Sequence, residues 1–345
     1  MARVLVCNAQ VPFVSGGAER HAQGLVRELR AAGHEAELVQ LPFKWYPRPQ
    51  ILLSALAWRL LDLTESDGKR VDLVVPMKFP SYLVRHPNKV VWLIHQFRQA
   101  YDRFGTEGSD FDAGPEDTRW RELIAEADAT GLGEARRVYT NARNTADRLR
   151  RFNGLWGEAL YHPPPLAGRY RSGESAGFAL AVGRLDRWKR MDLAIEGAAR
   201  GRFRLVLAGS GPDEARLREA AARLGADVDF RGAVSDEELL ELYATCGAVV
   251  FTPADEDYGY IALEAFLCRK PVVTCSDSGG PLEFVSDAET GRVVPPSGEA
   301  VGEATRALLS DGAAARSLGD AGFERVRGIT WKSVVETLLS AGGLS

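Results

Sequence analysis

The fold of this chain is indicated most clearly by residues 249–267, which read VVFTPADEDYGYIALEAFL. An apolar run is followed by an acidic loop, and a helical pattern then begins at Tyr260. This order predicts a buried strand, a loop and the start of a helix. The first N–H groups of such a helix, near Gly259, Tyr260 and Ile261, favour a diphosphate, and Gly259 lets a ligand approach the backbone closely. The segment therefore predicts a phosphate site.

Two glutamates in the same segment suit the remaining parts of a nucleotide sugar. Glu264 is the one charge in an otherwise apolar helical run, and a carboxylate there is costly to bury unless it is hydrogen-bonded. A ribose diol would supply two donors to it. Glu256, on the preceding loop, is placed to accept hydroxyl groups of the sugar beyond the phosphates. In the alternative interpretation, Glu264 only complements the helix dipole and Glu256 belongs to a solvated acidic loop.

Short apolar runs alternate with segments of helical length along the whole chain, a pattern typical of parallel strands joined by helical crossovers. Pro163–Pro165 interrupt the series, which then restarts. We predict an α/β fold of two Rossmann-like, doubly wound parallel-sheet domains, residues 1–165 and 166–328, that face each other across a cleft. We expect residues 329–345 to form a C-terminal helix that packs back on the N-terminal domain. Strands are expected at residues 3–8, 35–40, 73–75, 89–94, 138–140, 178–182, 204–208, 228–230, 248–252 and 271–274.

Composition argues against several classes of function. With 345 residues, 45% hydrophobic and 26% charged, the chain suits two ordinary globular domains. The net charge of −4 and the lack of a basic run argue against a nucleic-acid partner. The cysteines lack metal-binding spacing and no P-loop motif occurs, so we expect buried thiols, no bound metal and no ATPase activity. No apolar stretch suits a membrane span or a signal peptide, so we expect a cytoplasmic protein.

Cations follow the strand predicted at residues 178–182. Arg184 and Lys189 flank a turn there, and both are placed to reach one diphosphate. A guanidinium matches phosphate oxygens as a fork and an ammonium acts as a point charge, so together they would neutralise a departing nucleoside diphosphate. In the alternative interpretation both are ordinary surface cations, which is how we interpret Arg187 and Arg190.

Three residues in the N-terminal half are candidates for the same site. Gly16 and Gly17 follow the first predicted strand and permit close approach of the backbone at a helix N-terminus. The G-x-G-x-x-G spacing of nicotinamide- and flavin-binding proteins is absent there. His95 ends an apolar run and so lies at the carboxyl end of a strand, where parallel sheets bind ligands. A histidine of the core or of a loop is an equally good interpretation of His95.

The apolar segment 47–63 predicts a further helix, which we interpret as part of the core. Lys44, Trp45 and Tyr46 precede it, and an aromatic and basic entry of this kind leaves an alternative open. In that alternative the helix makes peripheral contact with the inner face of a membrane that carries a lipid-linked acceptor.

Several motifs occur together in an order that resembles one known family. The chain resembles the family 4 glycosyltransferases, a retaining group with the GT-B fold of two Rossmann-like domains. The similarity is strongest from Phe178 to Pro296 and weaker before it. The motifs are the E-x7-E signature at residues 256–264, VGRL at 182–185 with Lys189, LAGSGP at 207–212, FRG at 230–232 and GGPLE at 279–283.

The resemblance implies a role for each candidate residue. Glu264 would bind the ribose, and Glu256 the hydroxyl groups of the donor sugar. The expected catalytic residues are Arg184 and Lys189 at the diphosphate, Glu256, and His95 beside the transferred sugar. The expected donor-binding residues are Gly16 and Gly17 from the first domain, Gly183, the base-binding edge at Arg231 and Gly232, then Asp257, Tyr258, Gly259, Tyr260, Ile261 and Glu264.

The chain departs from the family pattern at Asp257-Tyr258-Gly259, where the family usually has Gly-Phe-Gly. A carboxylate in place of a glycine adds both bulk and charge beside the expected sugar position. We therefore expect Asp257 to influence which donor sugar fits.

The resemblance also implies an activity. A sugar would pass, with retention of configuration, from a nucleotide-diphosphate donor to a hydroxyl group of a glycan, a glycolipid or a natural product. The expected donor is a UDP-sugar first and a GDP-sugar second. The resemblance implies that no metal or cofactor is required. It also implies a short-lived oxocarbenium-like ion pair, in which the leaving diphosphate helps to deprotonate the acceptor, so that no pair of catalytic carboxylates is needed. Two alternatives remain: a nucleotide-sugar epimerase on the same fold, and a non-catalytic sugar-nucleotide-binding protein.

Overall fold

The computed structural model describes residues 1–14 and 16–344. Ser15, in the glycine-containing turn after the first strand, and Ser345 lie outside the described residues. The chain divides into two compact units. The N-terminal unit comprises Met1–Pro165 and Thr330–Ser345, and the C-terminal unit comprises Leu166–Ile329.

Both units consist of short strands and longer helices. The strands are β1 (Arg3–Gln10), β2 (Glu35–Pro42), β3 (Glu65–Ser66), β4 (Lys69–Arg70), β5 (Leu73–Pro76), β6 (Val90–Leu93), β7 (Arg137–Thr140), β8 (Glu158–Ala159), β9 (Ala179–Val182), β10 (Leu205–Ala208), β11 (Val228–Gly232), β12 (Ala248–Val250), β13 (Val272–Cys275) and β14 (Gly291–Val294). The helices are α1 (Gly17–Ala31), α2 (Pro49–Leu60), α3 (Pro115–Gly133), α4 (Arg143–Asn153), α5 (Met191–Gly201), α6 (Glu214–Leu224), α7 (Asp236–Thr245), α8 (Tyr260–Leu267), α9 (Gly298–Ser310), α10 (Gly312–Val326) and α11 (Trp331–Ala341).

The sheet of the N-terminal unit is a single parallel layer. Strands β2-β1-β5 form one part of it and β6-β7-β8 the other. The N–H of Ile94 donates to the carbonyl of Met77 at 2.7 Å, and a parallel bridge pairs Lys78 with His95, so β5 and β6 are neighbours. The carboxyl ends of β1, β5, β6 and β7 therefore lie along one edge, and His95 lies on that edge.

Helices cover both faces of this layer, and its strands are therefore buried on both sides. Helices α1 and α11 contribute to the core on one face, and α2, α3 and α4 contribute to the core on the other. Trp331 at the start of α11 lies directly on Gly24 of α1, where a β-carbon would come within 2.8 Å of its ring. The last helix of the chain is thus part of the N-terminal unit.

Helix α2 is shorter than the predicted segment 47–63 and has two apolar faces. Ile51, Ala55 and Trp58 are buried in the core. Leu53, Leu56 and Leu60 recur at helical spacing on the other face and are 53%, 49% and 75% exposed. That exposed face is the part of α2 that the membrane-contact alternative requires. Within residues 1–14 and 16–344, none of the helices combines the length and the apolarity needed to cross a bilayer.

The C-terminal unit has a six-stranded parallel sheet with the order β11-β10-β9-β12-β13-β14. Strand β14 was not predicted, because a glycine and an arginine at residues 291 and 292 interrupt its apolar pattern. Strands β9 and β12 are neighbours, although β10 and β11 lie between them in the sequence. The connections after β9 and β12 leave in opposite directions along the sheet. Parallel sheets of this type bind ligands at the carboxyl ends of two such strands.

A stacked pair of histidines lies in the core of the N-terminal unit. The rings of His21 and His162 are 3.7 Å apart and nearly parallel, and Trp92 and Trp331 lie against them. Both histidines are buried. Burial lowers the pKa of His162 to about 3. Burial, and then the neighbouring His162, lower the pKa of His21 well below its usual value. Both rings therefore remain neutral in the folded chain.

This pair should make stability depend on pH. Because the folded pKa values lie below the ordinary value of 6.5, the stabilisation is complete above that pH and is lost as the pH falls toward about 3. Each histidine should lower the free energy of unfolding by about 1 kcal/mol per pH unit below about 6.5. Urea denaturation at pH values of about 7 and about 5.5 should show a smaller difference for His162→Phe than for the wild type. Equal differences would contradict this assignment.

Candidate active site

The loops that follow β9 and β12 are joined by hydrogen bonds. The N–H of Ala254 donates to the carbonyl of Trp188 at 2.8 Å. Arg190 donates to the carbonyls of Thr252 and Pro253 at 2.8 and 2.6 Å, and to both carboxylate oxygens of Asp277. Our interpretation of Arg190 as an ordinary surface cation is therefore wrong, because it bonds two backbone carbonyls and the distant Asp277, contacts that the sequence does not display. Arg190 fixes the loop that carries the candidate residues.

Lys189 and Glu256 form an ion pair between these two loops. Each side chain is 22% exposed. The backbone of Glu256 is held from the other side, since its N–H donates to Ser278 at 2.9 Å and its carbonyl accepts from Gly280 at 2.8 Å. The sequence predicted contacts of Lys189 and Glu256 with different parts of a donor. The structure brings the two charges into direct contact.

Arg184 lies on the same turn but reaches solvent. Its side chain is 61% exposed, and its Nε lies 4.0 Å from a carboxylate oxygen of Asp186. Asp186 itself accepts hydrogen bonds from the N–H groups of Trp188 and Lys189. The turn is thus held by Asp186, while the guanidinium of Arg184 extends away from it.

Glycines bring the neighbouring strand ends close together. Gly209 has a φ of +138°, and a β-carbon on it would lie 1.9 Å from the carbonyl oxygen of Gly183. The N–H of Gly209 also donates to the carbonyl of Gly232 at 2.7 Å. The ends of β9, β10 and β11 are therefore in direct backbone contact. Arg231, beside Gly232, pairs with Asp229 at 2.9 Å and is 40% exposed.

Helix α8 begins beside this edge. Its N-terminal residue, Gly259, has a φ of +88°, which favours glycine, and it has no side chain with which to cap the helix. A β-carbon on Gly259 would lie 2.8 Å from the ring of Pro281. Tyr258 and Ile261 are buried on either side of the helix start. The N-terminal N–H groups of α8 thus lie on the loop that follows β12, where the sequence predicted a phosphate site.

Glu264 is buried within α8 and has a partner that the sequence did not reveal. The hydroxyl of Tyr243 donates to its Oε2 at 2.6 Å. Burial, and then the negative charge of Glu264, raise the pKa of Tyr243 well above its usual value, so the hydroxyl keeps its proton. Tyr170 packs against Tyr243, with the ring centres 6.3 Å apart. A tyrosine in a preceding helix gives no sequence signal for this contact.

The remaining candidates lie in the N-terminal unit. The Nδ1 of His95 lies 2.7 Å from the carbonyl oxygen of Gln96, to which it donates. Gly16 precedes α1, and its N–H donates to Glu19 at 2.9 Å. Glu19 also pairs with Lys78 at 2.7 Å. Burial opposes ionisation of Glu19, but Lys78 and these hydrogen bonds together lower its pKa. Glu19 and Lys78 were not predicted. The Gly16-x-x-Glu19 spacing of a capping box is visible in the sequence, whereas only the fold brings Lys78 to Glu19.

The structure thus divides the predicted site residues into two sets. His95, Gly16 and Gly17 belong to the N-terminal unit. The other set surrounds the carboxyl ends of the strands of the C-terminal unit. It comprises Gly183, Arg184, Lys189, Arg231, Gly232, Glu256, Asp257, Tyr258, Gly259, Tyr260, Ile261 and Glu264.

Among residues 1–14 and 16–344, no group of three or more His, Cys, Asp or Glu side chains is placed to hold a metal ion.

Comparison with known proteins places this site in a family. Residues 168–325 match the family described as glycosyl transferases group 1. O-antigen chain mannosyltransferase C of Escherichia coli is 30% identical over 146 residues, which are 41% of this chain and 39% of that protein. A D-inositol 3-phosphate glycosyltransferase of Mycobacteroides abscessus is 34% identical over 175 residues, which are 47% of this chain and 38% of that protein. The matches thus span about two fifths of these relatives.

A solved structure extends the likeness to both units. Sucrose-phosphate synthase from Thermosynechococcus elongatus superposes with a TM-score of 0.76 over 98% of each chain, at 20% sequence identity. This likeness confirms the predicted GT-B fold class. The family match covers residues 168–325, within the C-terminal unit, and it confirms the predicted resemblance to a glycosyltransferase family.

The contact between Tyr243 and Glu264 can be tested by mutation. Tyr243→Phe should lower the free energy of unfolding by about 1–3 kcal/mol, because a buried carboxylate loses one of its donors. The same change made in a Glu264→Gln background should cost less, because the lost hydrogen bond is then to a neutral group and not to a charge. Chemical denaturation of the two single variants and the double variant measures the coupling. An equal loss in both backgrounds would show that the hydroxyl does not stabilise Glu264.

Proposed function

We propose that this chain is a retaining, metal-independent glycosyltransferase. It transfers a sugar from a nucleotide-diphosphate donor, a UDP-sugar first and a GDP-sugar second, to a hydroxyl group of a glycan, a glycolipid or a natural product. The observation that carries the proposal is the Lys189–Glu256 ion pair, which joins the loops that follow the two central strands and lies on the loop that leads into α8. Cation, carboxylate and helix N-terminus are the three groups that a sugar diphosphate needs.

The diphosphate binds at the start of α8. The N–H groups there and the positive end of the helix dipole favour negative charge. Gly259 has no side chain to exclude a phosphate, and any other residue there would collide with Pro281. The ribose then extends along α8 toward Glu264, which the hydrogen bond from Tyr243 holds in position. A fixed carboxylate suits recognition of a diol, because both hydroxyl groups can donate to it.

Donor binding exchanges the partners of Lys189. In the free chain the ammonium is paired with Glu256, and a partly exposed pair of this kind contributes little to stability. The arriving diphosphate carries more negative charge than one carboxylate, so Lys189 moves to it. Glu256 is then released to accept hydrogen bonds from the hydroxyl groups of the donor sugar. The ion pair thus neutralises both charges until the donor binds.

Catalysis rests on the charge that develops when the bond between the sugar and the diphosphate breaks. Lys189 and the exposed Arg184 neutralise the departing diphosphate, which lowers the barrier to breaking that bond. A phosphate oxygen accepts the proton of the acceptor hydroxyl, and the new bond forms on the face that the diphosphate leaves, so the configuration is retained. The role of Asp257 in restricting which sugar fits is part of the proposal, and the role of His95 beside the transferred sugar stays a prediction.

The relatives support the class of reaction more than the identity of the sugar. One is named for mannosyl transfer and the other for transfer to inositol 3-phosphate. Neither name specifies the nucleotide of the donor, so the proposal keeps both UDP-sugars and GDP-sugars. An epimerase would convert a nucleotide sugar without any acceptor, and a non-catalytic binding protein would neither transfer nor hydrolyse it. Product analysis with and without an acceptor separates the three functions.

The cations provide the sharpest test of this function. Arg184→Ala and Lys189→Ala should each lower turnover on the order of 10²-fold or more, because each removes a charge that stabilises the leaving group. Release of nucleoside diphosphate at saturating donor measures the rate. Arg187→Ala is the matched control, an exposed cation on the same turn, and it should keep nearly full turnover. Unchanged turnover in both Arg184→Ala and Lys189→Ala would overturn the proposal.

A further inference from the structure

One aromatic residue of the N-terminal unit is largely exposed to solvent, unlike the aromatic residues of the core clusters. Trp156 is 72% exposed, although an indole ring carries a large apolar surface that is usually at least partly covered. The guanidinium of Arg150, on α4, lies 4.1 Å from the centre of its ring. A guanidinium stacked on a ring orients it, and most of the indole still faces solvent.

The backbone around Trp156 is fixed. Helix α4 ends at Asn153, and Gly154, which caps it in a left-handed conformation with φ of +67°, turns the chain toward Trp156. A β-carbon on Gly157 would lie 2.7 Å from the methyl group of Thr140, so this residue is seated against β7. Strand β8 then begins at Glu158 and pairs with β7. Trp156 is therefore presented by a structured edge and not by a free loop.

A cavity of about 370 Å³ lies beside this ring, within the N-terminal unit. Its volume is within the range of small-molecule sites. Its charged side chains are two arginines and two acids, so the formal charges cancel. Its side chains that can stack or hydrogen-bond are Arg143, Asp147, Arg150, Trp156, Glu158 and Tyr161.

From this chemistry we infer that the cavity beside Trp156, the Trp156 pocket, binds a neutral saccharide. The apolar C–H face of a sugar ring stacks on the open indole surface, and its hydroxyl groups both donate to the acids and accept from the arginines. An anion such as phosphate would gain from the arginines but would be repelled by Asp147 and Glu158. A purely apolar ligand would displace water from the four charged side chains and would offer them no hydrogen bonds in return. A polyhydroxylated neutral ring satisfies both kinds of surface.

The position of the pocket indicates which saccharide it holds. Arg143 begins α4 directly after β7, and β7 pairs in parallel with β6, which leads to His95. One end of the pocket, at Arg143, therefore lies near the edge of the sheet that carries His95, whereas Trp156 precedes β8 and lies toward the opposite end of β7. A saccharide bound there is the distant part of an oligosaccharide acceptor whose reacting end lies toward His95. This identification of the acceptor rests on the proposed function, whereas saccharide binding at Trp156 does not.

Binding of neutral trisaccharides to the full chain tests the inference. Saturation-transfer NMR with mannotriose and with maltotriose should show transfer to the sugar C–H protons of at least one probe. Trp156→Ala should weaken that binding about tenfold, the order expected for loss of one stacking contact. Trp156→Tyr, which keeps a flat ring, should restore most of it. Leu60→Ala, which removes another exposed apolar side chain of the same unit, should leave the affinity unchanged.

Several results would overturn the inference. These are wild-type affinity in Trp156→Ala, no binding of either trisaccharide to the wild type, and displacement of the trisaccharide by inorganic phosphate. Lys189→Ala separates this inference from the proposed function. It should abolish most sugar transfer and leave trisaccharide binding intact. Normal transfer by Lys189→Ala with loss of binding in Trp156→Ala would refute the proposed catalysis and leave the saccharide site standing.

Discussion

Backbone contact between neighbouring strand ends is the constraint on which the candidate site depends. Strands β9 and β12 lie side by side at the centre of the six-stranded sheet, and their loops leave in opposite directions. The opening between them can hold a ligand only if the adjoining turns stay close to the sheet. Gly209 makes this possible, because any β-carbon there would collide with the carbonyl oxygen of Gly183. Arg190 completes the arrangement by tying the β9 loop to the β12 loop and to Asp277.

Charged groups in this protein are held by partners that limit the cost of burying them. Tyr243 supplies a proton donor to the buried Glu264, and Lys78 with the N–H of Gly16 does the same for Glu19. The two cases occur in different units. A buried carboxylate held by fixed partners keeps a defined orientation. Such orientation is useful for recognising hydroxyl groups, and in the C-terminal unit it supports the proposed contact of Glu264 with ribose.

The sequence predicted those features that depend on neighbouring residues in the chain. Alternating apolar runs located every long strand except β14, whose Gly291 and Arg292 break the pattern. The segment from Glu256 to Glu264 was identified as a loop and a helix start, because an acidic loop, a glycine and an apolar helical run follow one another. Contacts between distant residues were not predictable. The bond of Tyr243 to Glu264 and the pairing of Glu19 with Lys78 exist only because separate elements meet in space.

The same distinction explains one misjudged position. Arg190 looks like any other cation in a basic turn, and only its contacts with two backbone carbonyls and with Asp277 show that it fixes two loops. The absent side chains of Gly209 and Gly211 likewise make room for the backbone after β9. Contacts with backbone carbonyl groups carry no sequence signature.

The central claim is that the N-terminus of α8 and Lys189 together hold the diphosphate of a sugar donor. A crystal structure of the chain with bound UDP or GDP tests it most directly. We expect phosphate oxygens within hydrogen-bond distance of the N–H groups at Tyr260 and Ile261, with the ammonium of Lys189 moved from Glu256 to the diphosphate. A nucleotide bound elsewhere, or bound while the Lys189–Glu256 pair stays intact and distant from the phosphates, would contradict it.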